Sequence, residues 1–321
     1  MTAMIAGLAV IGFLASGLID SAENEEPTLE VERKKSEPIT KEEAEQVAKQ
    51  LEQAVQKNDP QTYYRLVNLN DMVDVAAQGL NIRERSLQSF KNGMRQRGKL
   101  LEMIQKQISN KGSYVLLRVR QKNGEHRALF RLLSGNDGGL NYHEYVLTKQ
   151  QGVITVGDLY IYSNGENVTK SIRRTLIPIA AHENRRPFSR LEKSDRDFFQ
   201  NIKKISQISV AIQSGRSQLA LNLIASLPQS LQKQKFIMLF RLMAALEVEN
   251  DNEFLYAYNA LKKHYPGDPS LELFAIDYYV FRKEHDKALA AIDRLDQTVG
   301  GDPHLNVLRR NLKMMKQFKT P

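Results

Sequence analysis

The chain has 321 residues, 41% hydrophobic and 26% charged, a globular balance that fits about two ordinary domains and excludes a largely disordered polymer. It has no cysteine, which excludes disulfide frameworks, thiolate metal sites and a cysteine nucleophile and leaves the redox compartment open. The net charge of +9 is uneven: residues 1–35 carry −3 and the remainder +12, so the body favours anionic partners.

Ala3 to Ile19 is a run of 17 residues without charge, at the lower limit for a bilayer-spanning helix. An acidic, Pro-containing spacer follows, which separates the run from any domain core. Residues 1–20 are therefore expected to be a membrane anchor or signal segment, and 21–39 an acidic, polar linker. Ala15-Ser16-Gly17 has the small-x-small form that a signal peptidase accepts, whereas the usual basic residues before the segment are missing. The reading adopted is a single-pass anchor with the body outside the cytoplasm, in a bacterial periplasm, or a secreted protein if the segment is cleaved.

Thr40-Lys41-Glu42-Glu43 fits a capping box, and Ala44, Val47, Ala48, Leu51 and Val55 then recur on one helical face. Asn58-Asp59-Pro60 stops that helix. A second helix begins near Gln61 and presents Tyr64, Leu66, Val67 and Leu69; more helix is expected over 71–78 and from 82 to about 108. The period changes at Gly112. Over 114–120, Val115, Leu117 and Val119 alternate with Leu116, Arg118 and Arg120, which signals a strand. Lys122-Asn123-Gly124-Glu125 supplies an Asn-Gly hairpin turn, and strands are expected over 127–133, 140–148 and 153–162. Helices followed by an antiparallel sheet make an α+β pattern over residues 40–180.

The run Tyr142-His143-Glu144-Tyr145, continued by Val153-Ile154-Thr155-Val156-Gly157-Asp158-Leu159-Tyr160-Ile161-Tyr162 and Gly165-Glu166, resembles the closing strands of the nuclear-transport-factor-2-like cone. So does the opening helix that ends in Asn58-Asp59-Pro60-Gln61-Thr62-Tyr63. The resemblance covers about residues 40–175 and implies helices packed on a curved sheet that encloses a pocket. Some members of that family are isomerases or dehydratases that use an Asp or His inside it, and others use the cone only to dimerise or to hold a partner. Asp158 shares a strand face with Val156 and Tyr160 in simple alternation, and would point into such a cavity, where its pKa would rise. His143 and Glu144 lie on opposite faces of their strand, so at most one points inward. Asp158 and His143 are thus the candidate pocket residues, with a general base as the functional reading. In the absence of a second matched acid–base partner, a structural carboxylate bonded to backbone is preferred.

Residues 170–204 hold ten Lys and Arg against four acids, and Pro178 and Pro187 argue against one continuous helix there. Residues 181–200 are read as a basic connector. Arg173, Arg174, Arg185, Arg186 and Arg190 are the candidates for contact with anionic lipid; nucleic acid is not expected, because no aromatic-interleaved or glycine-rich motif accompanies the charge.

Gly267-Asp268-Pro269 recurs as Gly301-Asp302-Pro303, a shift of 34. Ile237, Leu271 and Leu305 keep the same register, as do Ala220, Phe254 and Ala288, then Ile224, Tyr258 and Ile292, then Leu227, Leu261 and Leu295. Neither helix of such a unit buries its apolar face alone, so units stack and share a core. The period, with Lys287-Ala288-Leu289-Ala290-Ala291-Ile292 in the second helix, resembles the tetratricopeptide repeat over about residues 197–317, with the domain proper at 201–317. The resemblance implies an all-α array that binds peptides or protein segments on a concave face.

The expectation is therefore a membrane-tethered extracytoplasmic adaptor, not an enzyme, that recruits protein through its repeats and can form a homodimer through the cone. The alternatives are a small-ligand-binding protein or an isomerase- or dehydratase-type enzyme using the cone pocket, and a nucleic-acid or anionic-lipid binder using the connector. Six scattered His without paired spacing imply neither a metal nor a cofactor.

Overall fold

Helix α1 (Lys41–Gln56) opens as its sequence requires: the Thr40 hydroxyl accepts from the Glu43 N–H at 3.2 Å, and the Glu43 carboxylate accepts from the Thr40 N–H at 2.9 Å. Its apolar stripe of Ala44, Val47, Ala48, Leu51 and Val55 is buried, each large side chain contributing about 1.5–3 kcal/mol of transfer energy. The computed structural model describes residues 36–97, 100–135, 138–183 and 193–317. The apolar run Ala3 to Ile19 and residues Arg185, Arg186 and Arg190 lie outside the described residues. No helix among the described residues is long and apolar enough to cross a membrane.

Asp59 caps α2 (Pro60–Leu66) through the Thr62 N–H at 3.1 Å, with Pro60 in the first turn, where a missing N–H costs nothing. Helices α3 (Leu69–Ala77), α4 (Glu84–Arg97) and α5 (Leu100–Ile108) follow, the last two where one long helix was expected. The chain then enters a five-stranded antiparallel meander of β1 (Ser113–Lys122), β2 (Glu125–Leu133), β3 (Leu140–Gln150), β4 (Val153–Ile161) and the short β5 (Glu166–Asn167), in spatial order 1-2-3-4-5. The Asn123-Gly124 turn has φ of 53° and 79°, the left-handed pair that a tight hairpin needs.

Two β-bulges decide which side chains face which way. The register jumps from Leu116↔Phe130 to Arg118↔Leu129, and from Val146↔Asp158 to Leu147↔Val156, leaving Leu117 and Gly157 as the extra residues. One face, toward the helices, carries Tyr114, Leu116, Phe130, His143, Tyr145, Val156 and Leu159. The other carries Arg118, Arg120, Arg127, Arg131, Tyr142, Glu144, Asp158 and Tyr160. The expected sharing of a face by Val156 and Asp158 is therefore corrected: simple alternation cannot see a bulge, and Gly157 inverts the phase between them.

Helix α6 (Val168–Glu183) returns across the sheet edge and packs on α3 and β4. It runs through Pro178 to Glu183; the expectation that no single continuous helix covers 170–204 rests also on Pro187, which lies outside the described residues. A mid-helix proline costs about 3 kcal/mol. Burial of Ile172, Leu176, Ile177, Ala180 and Ala181 on both sides of it outweighs that.

After α7 (Lys193–Gln200) come paired helices: α8 (Ile202–Gln213) with α9 (Ser217–Ala225), α11 (Lys235–Glu247) with α12 (Asp251–His264), and α13 (Ser270–Phe281) with α14 (His285–Val299). The single turn α10 (Gln229–Gln232) precedes the second pair, and α15 (Pro303–Gln317) packs on α14. The period is visible in the backbone. Gly215, Glu249 and Lys283, each 34 apart, take positive φ at the end of the first helix of each pair. The next residue then donates back to Ala211, Ala245 or Tyr279 at 2.8 Å in every case. The columns beginning at Ala220, Ile224 and Leu227 are buried in all three pairs. The observed architecture is thus an α+β unit followed by a helical one.

Candidate functional site

The outward face of the sheet carries a row of arginines, and a charged row on a sheet face needs partners. The array supplies them. Asp302, in the second Gly-Asp-Pro turn, has a fully buried side chain that accepts from Arg131 at 2.6 Å and from the Tyr142 hydroxyl at 2.8 Å. The same carboxylate caps α15 through the His304 N–H at 2.9 Å. Asp268, its counterpart one unit earlier, accepts from the Tyr160 hydroxyl at 2.9 Å, pairs with Lys235, and caps α13 through the Ser270 N–H at 3.0 Å. Between these two points Arg120 donates to the Thr298 carbonyl at 2.8 Å and Arg118 to the Gly301 carbonyl at 2.5 Å. Gly165, at φ +62°, lets Leu239 approach so closely that a Cβ there would lie 2.5 Å from it. Sheet and array are joined along this seam.

One unit earlier still, position 234 is Gln, and the seam opens into a cleft of about 690 Å³. Its walls are α6, the start of α11, the β4–β5 edge and the loop around Asp268, with Ile177, Phe198, Phe236 and Tyr265 as the apolar part. A neighbouring space of about 340 Å³ shares Arg127, Tyr160, Tyr265 and Asp268 with it and continues toward Lys122 and Thr298. Together they are lined by seven cationic side chains and four acidic ones, a net of +3. Glu125, which pairs with Arg127 from outside the lining, lowers this to +2. Lys235 is a strut, bonded to Tyr160, Gly165 and Asp268. Burial pulls its ammonium below the ordinary lysine range while Asp268 pushes it back up.

The candidate pocket residues are not brought together. Asp158 faces outward and closes the start of α6, accepting from the Thr169 hydroxyl at 2.6 Å, the Thr169 N–H at 3.2 Å and the Leu159 N–H at 2.9 Å. His143 faces inward, buried, at one end of a chain of hydroxyls. Its Nδ1 lies 3.0 Å from Tyr114, which lies 2.9 Å from Tyr145, which lies 3.0 Å from Tyr63. Burial lowers its pKa to about 3, so the imidazole is neutral at physiological pH. It raises Tyr145 to about 12. Glu144, on the opposite face from His143 as expected, is held by Arg120 at 2.6 Å and Arg127 at 3.5 Å. Arg173 and Arg174 stand in the wall of the cleft. Arg173 binds Asp195 at 2.9 Å and the carbonyls of Ala76 and Gln78, and Arg174 pairs with Glu166 and lies 4.4 Å over the Phe236 ring.

The role of the seam aspartates is not evident from the sequence, where Gly-Asp-Pro marks only the repeat register. Two signals are present: an Asp just before each helix start, and arginines that outnumber the acids on β1 and β2, where Glu125 is the one acidic residue. No group of His, Asp and Glu among the described residues could hold a metal ion. Comparisons with protein-family models, with curated proteins and with solved structures give no match.

Proposed function

We propose that this chain is a binding scaffold and not an enzyme: a membrane-tethered, extracytoplasmic adaptor whose tetratricopeptide-like array recruits a protein partner. One observation carries the reading. Of the nine large hydrophobic side chains exposed among the described residues, eight lie within 202–317, so the surface available for partner contact is concentrated on the array. Phe281 and Met315 are 34 apart and therefore occupy the same column of adjacent units, at 39% and 41% exposure, with Met314 beside them at 50%. Large apolar side chains in one column on the first helices of successive units suit a partner segment laid across the array.

On this reading the nuclear-transport-factor-2-like unit is a support. Its outward face holds the array, and its inward face is filled by the tyrosine chain. His143, Asp158 and Glu144 are each engaged in bonds within the fold, which favours binding over acid–base chemistry. A homodimer through the sheet unit would use a surface other than the outward face, which the array covers. Any lipid contact by the connector would rest on Arg185, Arg186 and Arg190, since Arg173 and Arg174 are engaged in the seam.

The test is crosslinking capture from membranes with the full chain and with Phe281→Ser/Met315→Ser. Loss of a specific partner in the double variant, at unchanged thermal stability, is expected. Capture of the same set by both proteins would refute recruitment through this face. Deleting the array is the poorer test, because it would uncover Arg131 and Tyr142 and present a new charged surface.

A further inference from the structure

The seam is closed twice by the chain's own carboxylates and left open once. Gln234 occupies the column of Asp268 and Asp302, and at α11 it makes no capping bond. We propose that the cleft at this position binds an acidic peptide segment, one of whose carboxylates takes the place that Asp268 and Asp302 hold at the next two units. This site is separate from the array face and goes beyond it.

Charge, free donors and size all lead there. Cations exceed acids in the lining even after every internal pair is counted. Lys170 and Lys122 are exposed, and their side chains make no hydrogen bond or ion pair among the described residues. The side-chain amides of Asn167 and Gln234, also in the lining, are equally unengaged and can serve a peptide backbone. Arg174, paired with Glu166 and 4.4 Å over the Phe236 ring, adds positive charge beside the apolar wall. About 690 Å³ is more than one side chain fills, and the adjoining space extends it along the seam, as an extended segment requires. A carboxylate is favoured over other anions because both filled positions of the column hold one, each matched to a tyrosine hydroxyl and one cation.

The experiment uses the full chain in detergent and a short fluorescein-labelled peptide alternating Glu and Ala, with its Gln counterpart as control, read by anisotropy at low and high salt. The Glu peptide should bind, the Gln peptide should not, and affinity should fall as salt rises. Lys170→Glu should weaken binding by about tenfold or more. Gln234→Asp, which supplies the missing carboxylate from within, should weaken it comparably while raising the Tm, so a folding defect cannot explain both results. Phe281→Ser/Met315→Ser should bind the Glu peptide like the unaltered chain, which separates failure here from failure of the array reading. Equal binding of the two peptides, or unchanged affinity in both Lys170→Glu and Gln234→Asp, would overturn the proposal. So would binding to phosphatidylglycerol vesicles without binding to the Glu peptide, which would assign the cleft to a lipid surface.

Discussion

Replacing Asp302 by Ala would remove the centre of the seam. The substitution leaves the Arg131 guanidinium, 14% exposed, without its partner, orphans the fully buried Tyr142 hydroxyl, and uncaps α15. Breaking a buried ion pair from one side costs about 3–5 kcal/mol, because the remaining charge is desolvated and unpaired. A lost helix cap costs about 1 kcal/mol and an orphaned buried hydroxyl about 1–3 kcal/mol. These overlap on one carboxylate, so the total is taken as about 4 kcal/mol. At about 2–4 °C per kcal/mol for a chain of this size, the Tm should fall by about 8–16 °C. The assay is thermal unfolding of Asp302→Ala, Arg131→Met and the double variant, read as a cycle. Arg131→Met should cost much less in the Asp302→Ala background, with a coupling of about 2 kcal/mol or more. A single variant within about 1 kcal/mol of the original, or additive effects, would refute the account of the seam as a mutually dependent contact.

His143 has a folded-state pKa of about 3, against about 6.5 in the unfolded chain. Below pH 6.5 the unfolded state binds the extra proton, so stability rises with pH between about 3 and 6.5 and this contribution is complete above that range. Urea unfolding should show about 2 kcal/mol less stability at pH 5.0 than at pH 7.5 from this group, a part absent in His143→Gln. An imidazole that titrates near 6.5 by NMR would contradict it. Asp158→Ala should lower stability by about 2 kcal/mol through loss of the α6 cap and leave partner capture intact. Capture lost at an unchanged Tm would instead give Asp158 a binding role.

Much of the fold was legible because its signals are local. The Thr40 capping box, the Asn58-Asp59-Pro60 stop and the Asn123-Gly124 turn each state their geometry within four residues, and all three occur as read. The helical pairs were legible for a different reason: a period repeated three times averages out divergence such as Phe254 in a small-residue column. The faces of the sheet were not legible. Leu117 and Gly157 carry no mark that distinguishes an extra residue from a paired one, since a bulge is set by the partner strand. The helix through Pro178 was hidden likewise, because the burial that sustains it comes from α3, some hundred residues away. Of the candidate site, the basic character was readable in Arg173 and Arg174, but the cleft between distant segments, and the acids that engage these side chains, required the tertiary structure.

Stacked helix pairs ordinarily evolve by duplicating or deleting units, since each unit touches only its neighbours. Here two such lengths are measured against each other. Asp268 lands on β4, and Asp302, one unit later, lands on β3 and β2. Strands lie about 4.8 Å apart and packed helices about 8–10 Å apart, so one step along the array matches one to two steps across the sheet. Inserting or deleting a unit between the two aspartates would carry one of them off its strand by that whole distance. The meander therefore acts as a ruler that fixes the unit count in this stretch.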